Sequence, residues 1–358
     1  MGKVVIAQPA ASQQARSSDS GLVLVTGGLG NLGGLLAQWL VQQGAQHVAL
    51  LGRSGKASSL AAQPDGGSVF SSDACVQMIM ADVAVAEDLQ RVFVALPRQA
   101  QRPVGLVLHA GGVLADATLG NQSMAAMRRV AAPKSVGAAG WQLAVQQQPA
   151  GSQVFFSSIA ALLGSPGQAN YAAANAALDA AAQALQAQGV AAVSVQWGAW
   201  AGAGMAAQDA QTAARVERMG MAMIQPQRGL AALSDALQAL HAPGACAAAH
   251  APAALAAIPF RWPAFLARQA PVPAFFSEFA SMLPAASGAQ PAALRPTQPA
   301  AAAAAATVRL AAVPEQVGEA VASILGRRVG EDEPLVAAGL DSLGSVELRN
   351  ALQVGTLP

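Results

Sequence analysis

Charge is scarce in this chain: Asp, Glu, Lys and Arg make up 11% of its 358 residues, and the formal net charge is +1. No basic face is available for a nucleic acid, so an anionic ligand has to be held by local charge and backbone N–H groups. Cysteine is nearly absent. Cys75 and Cys246 fit neither a disulfide framework nor a metal site, and the four histidines (His47, His109, His241, His250) are scattered without zinc-type spacing. The expectation is a reducing, cytoplasmic setting with no metal. Hydrophobic residues reach 53%, much of it alanine, yet no strongly apolar stretch is long enough to span a bilayer. Residues 1–20 have too short an apolar core for a secretory signal. Tyrosine occurs once, as Tyr171. Any phenolic acid has one candidate.

That tyrosine sits in the stretch around which the chain is organised. Val154 to Phe156 reads as a short buried strand ending at Ser157 and Ser158, and Tyr171 to about Gln188 as a helix closed by Gly189. Between them lies a loop broken by Pro166 and Gly167. Tyr171 and Asn175, four residues apart, share one helix face and can both point back to the serine at the strand end. A hydroxyl, a phenol and an amide brought together suit a carbonyl oxygen that accepts a proton while hydride reaches its carbon.

The rest of the chain supplies the context. Leu22 to Val25 reads as a buried strand, followed at once by Thr26-Gly27-Gly28-Leu29-Gly30-Asn31-Leu32-Gly33 and a helical pattern from Leu35 to Gln43. Strand, glycine turn and helix in that order place N–H groups around a pyrophosphate, with GxGxxG on Gly28, Gly30 and Gly33. The second strand, His47 to Leu51, is followed by Gly52-Arg53-Ser54. An arginine stands where a carboxylate would otherwise hold the ribose hydroxyls, and its fork suits a 2′-phosphate, so NADPH is favoured over NADH. A third strand, Val76 to Met80, leads into Asp82 and Val83; a fourth, Gly105 to Leu108, leads into His109-Ala110-Gly111-Gly112, whose small residues let backbone lie beside a nicotinamide ribose. Lys134 follows Pro133 in the next helical region. Val193 to Gln196 adds a strand, Trp197 to Met205 a glycine-flanked lid, Thr212 to Met219 and Arg228 to Leu240 helices, and Ala247 to Ile258 a last strand. Strands alternating with helices specify an α/β fold, a Rossmann-like doubly wound parallel sheet.

Composition changes to Ala and Pro over residues 271–306, as in a linker, before an apolar-periodic helix from Val308 to Leu325 and the run Gly339-Leu340-Asp341-Ser342-Leu343. The expected division is an N-terminal segment (1–20), a reductase domain (21–270), the linker (271–306) and partial all-α carrier helices (307–358).

At these residues the chain resembles a type I polyketide synthase or animal-type fatty acid synthase fragment, with a ketoreductase of the short-chain dehydrogenase type followed by an acyl carrier protein. The resemblance rests on Thr26 to Gly33, Leu51 to Gly55, His109 to Leu114, Phe155 to Asn175, Trp197 to Met205 and Gly339 to Leu343. It implies that Ser158 holds the carbonyl, Tyr171 donates the proton, Lys134 keeps the phenol acidic and anchors the ribose, and Asn175 takes the position four residues after the tyrosine. A nearby ammonium favours phenolate on charge grounds alone. The implied NADPH set is Thr26, Gly28, Leu29, Gly30, Leu32, Gly33, Arg53, Ser54, Asp82, Val83, Ala110 and Gly111. Ser342 is the implied attachment point for 4′-phosphopantetheine, at the start of a helix. The partners implied are a carrier-bound β-ketoacyl substrate, a phosphopantetheinyl transferase and other synthase domains. Asp116, in Leu114-Ala115-Asp116, with leucine rather than tryptophan at position 163, implies the D-hydroxyl product.

Two features depart from the family pattern: only about twenty residues precede the first Rossmann strand, and the carrier stops near its second helix. Two other classes compete. A nucleotide-sugar epimerase or dehydratase would carry lysine four residues after the tyrosine, where this chain has Asn175. A reductase-like scaffold without turnover would not need Ser158, Tyr171, Lys134 and Asn175 together.

Overall fold

The structure is a computed structural model describing residues 21–55, 74–97, 102–141, 151–202, 210–241, 252–269, 271–283, 317–325, 327–330, 333–335, 338, 340, 344 and 348. Two compact units are distinguished: one comprises residues 1–115, 123–164 and 170–283, the other 116–122, 165–169 and 284–358.

The first unit is built on one parallel sheet. Its strands are β1 (Leu22–Thr26), β2 (His47–Gly52), β3 (Cys75–Met80), β4 (Val104–His109), β5 (Ser152–Ser158), β6 (Ala192–Trp197) and β7 (Ala254–Ala257), in the order β3-β2-β1-β4-β5-β6-β7. The strand order reverses between β1 and β4, which pair from Leu22 opposite Val104 to Thr26 opposite His109. In open α/β sheets ligands bind at such a switch point, beyond the carboxyl ends of the strands.

Alternation along the strands feeds two cores. Val23 and Val25 pack with Leu36 and Leu40 of helix Asn31–Gln42 and Leu233 and Leu240 of helix Pro226–His241 on one face. On the opposite face Leu22 and Leu24 join Phe93 and Trp141, while Phe155 meets Leu178 and Leu185 of helix Ala169–Ala187. Full burial of one such leucine stabilises by about 1.5–3 kcal/mol, so both helical layers are held by apolar burial. The doubly wound sheet expected from sequence is what forms.

Three local features differ from expectation. Helix Met124–Ala131 runs on as a π-helical turn, Ala132–Val136. Pro133 has no N–H to continue a regular ladder, and Lys134 on this turn is only 3% exposed. A short helix, Ile159–Leu163, occupies part of the expected loop, with Ser158 as its N-cap. Third, the linker expected from Pro271 begins as packed structure. A 3₁₀ segment, Ala274–Met282, buries Phe276 against Phe265 and stacks Phe279 on Trp262, ring centres 4.0 Å apart and planes almost parallel. Apolar rings bring residues 271–283, apart from the alanine and proline around them, into the first unit.

In the second unit, Val321, Leu340 and Leu348 are buried together, with Val317, Ile324 and Leu335 around them. Arg327 grips Glu333 through two hydrogen bonds, of 2.7 and 3.2 Å. Asp341 and Ser342, and residues 308–316 of the expected helix, lie outside the described residues.

Candidate active site

The glycine turn after β1 is built by backbone contact. Gly27 has a φ of +67°, and the Gly30 N–H closes the turn on the Gly27 carbonyl at 3.0 Å. A side chain at Gly28 would meet the Val25 carbonyl at 2.7 Å and Leu50 Cα at 2.9 Å, and one at Gly33 would overlap the Gly27 carbonyl and Gly28 Cα. Gly30 differs. Its Cβ would come only within 3.3 Å of the Gly27 carbonyl. What glycine keeps clear there is the approach from outside, and helix Asn31–Gln42 begins at Gly30 with no side-chain cap on its first N–H groups. An exposed helix N-terminus with open N–H groups fits a pyrophosphate.

The other expected cofactor residues gather at the same sheet edge. Leu29 is buried against Gly52, and Leu32 packs on the core. Arg53 and Ser54 are exposed just past β2. Past β3, the Asp82 carboxylate accepts from the Ala84 N–H at 2.9 Å, while the Asp82 N–H donates to Asp88, and Val83 is buried. That N–H, followed by Arg91, holds the Asp88 carboxyl below its ordinary range. Past β4, the Ala110 N–H donates to the Thr26 carbonyl at 3.2 Å and the Gly111 N–H to Thr26 Oγ1 at 3.3 Å.

Beside this edge lies a polar layer between the sheet and the helices over it. Lys134 Nζ donates to the Phe156 carbonyl at 2.9 Å and stands 5.6 Å from the centre of the Tyr171 ring. Asn170 Oδ1 accepts from the Tyr171 N–H at 2.7 Å, and Asn170 Nδ2 donates to the Ala115 carbonyl at 2.8 Å, fixing the start of the tyrosine's helix. Asn175 is fully buried. Its Nδ2 donates to the Tyr171 carbonyl at 2.8 Å, and its Oδ1 has no hydrogen-bond partner among the described residues. The amide N–H therefore grips the helix, and the carbonyl oxygen is the part of Asn175 left for the site. Ser158 Oγ accepts from the Ala160 N–H at 3.2 Å and keeps its own O–H to donate.

Two buried bases define the electrostatics. Burial pushes Lys134 down to about 7, opposed by the charge of Asp179. Burial, then the Lys134 charge, pushes His109 down to about 3, opposed by the Pro133 carbonyl. His109 Nδ1 lies 3.1 Å from Trp141 Nε1 and 2.9 Å from Thr26 Oγ1. The indole can only donate, so His109 is neutral with its proton on Nε2, and Thr26 turns its O–H to Nδ1.

Sequence reasoning missed His109, Asn170 and Asp179. Asp179 could have been found, since it follows Asn175 by four residues on the same face of an alanine-rich helix. The partners of His109 depend on strand order, which no local pattern contains. In the second unit, Asp116 Oδ2 accepts from Gln168 Nε2 at 2.8 Å, joining segments 116–122 and 165–169. Residues 203–205 of the expected lid lie outside the described residues.

The sequence matches the KR domain family over residues 21–202 and the phosphopantetheine attachment site family over residues 315–355. Polyketide synthase GfsB of Streptomyces halstedii is 35% identical over 351 residues, covering 94% of this chain and 6% of that protein. Spectinabilin polyketide synthase system protein NorB of Streptomyces orinoci is 34% identical over 363 residues, covering 98% of this chain and 16% of that protein. The chain thus spans less than a fifth of these relatives. Among solved structures, A-type ketoreductases from a modular polyketide synthase superpose with a TM-score of 0.61 at 30% identity, covering 79% of this chain and 55% of theirs. The ketoreductase from the first module of phoslactomycin biosynthesis in Streptomyces sp. HK803 gives 0.60 at 29%, covering 77% and 59%. A ketoreductase domain implies NADP(H), which the open glycine turn fits, and a phosphopantetheine attachment site implies that group bound covalently. Sheet order, glycine turn, buried lysine beneath the tyrosine and sequence match agree: the chain belongs to the ketoreductase domain family of polyketide synthases, with a phosphopantetheine attachment region after it.

Proposed function

We propose that this chain reduces the β-ketone of a carrier-bound acyl thioester to a β-hydroxyacyl thioester during polyketide assembly, with NADPH as reductant. The observation that carries this reading is Lys134, buried and 5.6 Å from the ring centre of the chain's single tyrosine, beside an open glycine turn. NADPH, when bound, supplies hydride to the ketone carbon. Tyr171 gives its phenolic proton to the ketone oxygen, Ser158 donates a hydrogen bond to that oxygen, and the Lys134 ammonium favours the phenolate left behind. Asn175 fixes the helix turn that carries Tyr171. Gly28, Gly30 and Gly33 shape the pyrophosphate seat, and Arg53 takes the 2′-phosphate. Asp116 directs the ketone so that the D-hydroxyl forms. The setting is cytoplasmic; among the described residues Cys75 is a free, exposed thiol and no helix is long and apolar enough to cross a membrane.

The test is NADPH oxidation by the full chain with a β-ketoacyl pantetheine thioester, followed by chiral chromatography. The D-alcohol is expected; absence of turnover, or a mainly L product, contradicts the reading. Arg53→Ala in the same assay should raise KM for NADPH at least tenfold and leave KM for NADH nearly unchanged, since a surface guanidinium meets only the phosphate that NADH lacks. Equal effects would remove Arg53 from the site.

Ser342 is the proposed attachment point for the arm. The support is its Gly-Leu-Asp-Ser-Leu setting within the matched carrier region. Treatment with coenzyme A and a phosphopantetheinyl transferase should add the arm's mass to the parent and nothing to Ser342→Ala. Labelling of the alanine variant would exclude the site.

A further inference from the structure

Lys134 is a cation in a difficult place. It is 3% exposed, and its hydrogen bond goes to a neutral carbonyl, that of Phe156. A buried ammonium without a counter-charge sheds its proton, and the neutral amine would no longer support a phenolate. The groups around it narrow the choice of counter-ion. β4 brings His109, which is neutral because the Trp141 indole N–H needs its Nδ1 as acceptor. β5 brings the Phe156 carbonyl. The lysine's own helix carries Arg128 and Arg129, both exposed, with Arg129 turned to the Leu114 carbonyl. Helix Ala169–Ala187 brings the Tyr171 ring and one acid, Asp179.

Asp179 is held in place by the sheet. Ser194 Oγ donates to its Oδ1 at 2.6 Å and Gln196 Nε2 to its Oδ2 at 2.8 Å, both from β6. In the parallel register Ser194 lies opposite Phe155 and Gln196 opposite Ser157, so the residues that fix the carboxylate flank Phe156, whose carbonyl receives Lys134. Asp179 follows Asn175 by four residues and Tyr171 by eight, one and two helical turns along the same face. Two donors from one strand hold the carboxylate still.

We propose that Asp179 is a positioning residue for the reduction, the fixed counter-ion that favours the charged form of Lys134. The assignment deepens the function proposed above. Helix Ala169–Ala187 carries no other acid that could replace it, and the two β6 donors fix where its charge sits. The same carboxylate is what opposes the downward pull of burial on the lysine.

The experiment reads the lysine itself, so it does not depend on turnover. The chain's lysines are Lys3, Lys56 and Lys134, so the protein labelled with ¹³Cε-lysine has few signals, and Lys134→Met identifies the one of interest. Asp179→Asn should lower the Lys134 titration midpoint by about one pH unit or more, a tenfold change in proton affinity. Asp179→Glu, which keeps the charge, should retain most of the parent midpoint. Where turnover is present, its loss at high pH should move down with that midpoint, and the shortfall of the variant against the parent should shrink as the pH falls below both midpoints. A midpoint unchanged in Asp179→Asn overturns the proposal. Should that variant not fold, the parent labelled at aspartate carboxyl carbons decides: the Asp179 signal, identified with Asp179→Glu, must inflect at the Lys134 midpoint, and a flat signal there overturns the proposal equally.

Discussion

Tyr171→Phe is expected to lower kcat by about two to four orders of magnitude, the usual worth of a positioned acid, with NADPH affinity almost unchanged. The substitution keeps the ring that lies over Lys134 and removes only the phenolic O–H. The helix around it is fixed through backbone groups, by Asn170 at the Tyr171 N–H and Asn175 at the Tyr171 carbonyl, and neither bond involves the phenol. The loss therefore reports proton donation and not a displaced helix. Single-turnover absorbance gives the rate, and quenching of bound-cofactor fluorescence gives the affinity. Turnover in the phenylalanine variant within threefold of the parent would remove Tyr171 from the mechanism.

Gly33→Ala is the second large effect, and it separates three glycines that sequence alone treats as equivalent. The added methyl would overlap the Gly27 carbonyl and Gly28 Cα, backbone atoms that cannot withdraw without opening the turn. Overpacking of this kind costs about 1–3 kcal/mol, a fall in Tm of several degrees for a domain of this size, roughly 2–4 °C per kcal/mol. NADPH affinity should fall at least tenfold, because the N–H groups that meet the pyrophosphate move with the turn. Gly30→Ala should lower Tm less than Gly33→Ala, since its methyl meets one carbonyl, that of Gly27, at 3.3 Å, and should lose cofactor affinity chiefly by blocking the approach from outside. Calorimetry beside cofactor titration checks both; equal Tm losses in the two variants would contradict the distinction.

How much of this was legible depends on whether the determinant was local. The strand before the glycine turn, the strand His47 to Gly52 and the helix bearing Tyr171 and Asn175 carry their own periodicity and stop signals, and they form within a residue or two of expectation. The π-helical turn at Lys134 had no such signal beyond Pro133, because what stabilises it is burial against β5. The 3₁₀ segment Ala274–Met282 was hidden by an average: its composition is that of a linker, but Phe275, Phe276 and Phe279 lie within it, and the last two pack on Trp262. Of the candidate site, the residues proposed to meet cofactor and ketone could be named from local motifs. Of the residues packed behind them, Asp179 had a helical spacing to betray it, but the Thr26–His109–Trp141 chain of contacts joins segments that come together only when β4 docks beside β1.

That docking also sets the order in which the chain can fold. Thr26 and His109 are 83 residues apart, and β1 lies between β2 and β4, so one of its edges stays unpaired until β4 arrives. Loop-closure entropy across that span opposes the pairing before its contacts form, so β1 is expected to pair with β4 more slowly than with β2. Until Val104 to His109 leaves the ribosome, β1 presents an apolar edge of unpaired N–H and C=O groups, the kind that pairs with another chain. A product ending before β4 would hold the complete glycine turn and aggregate.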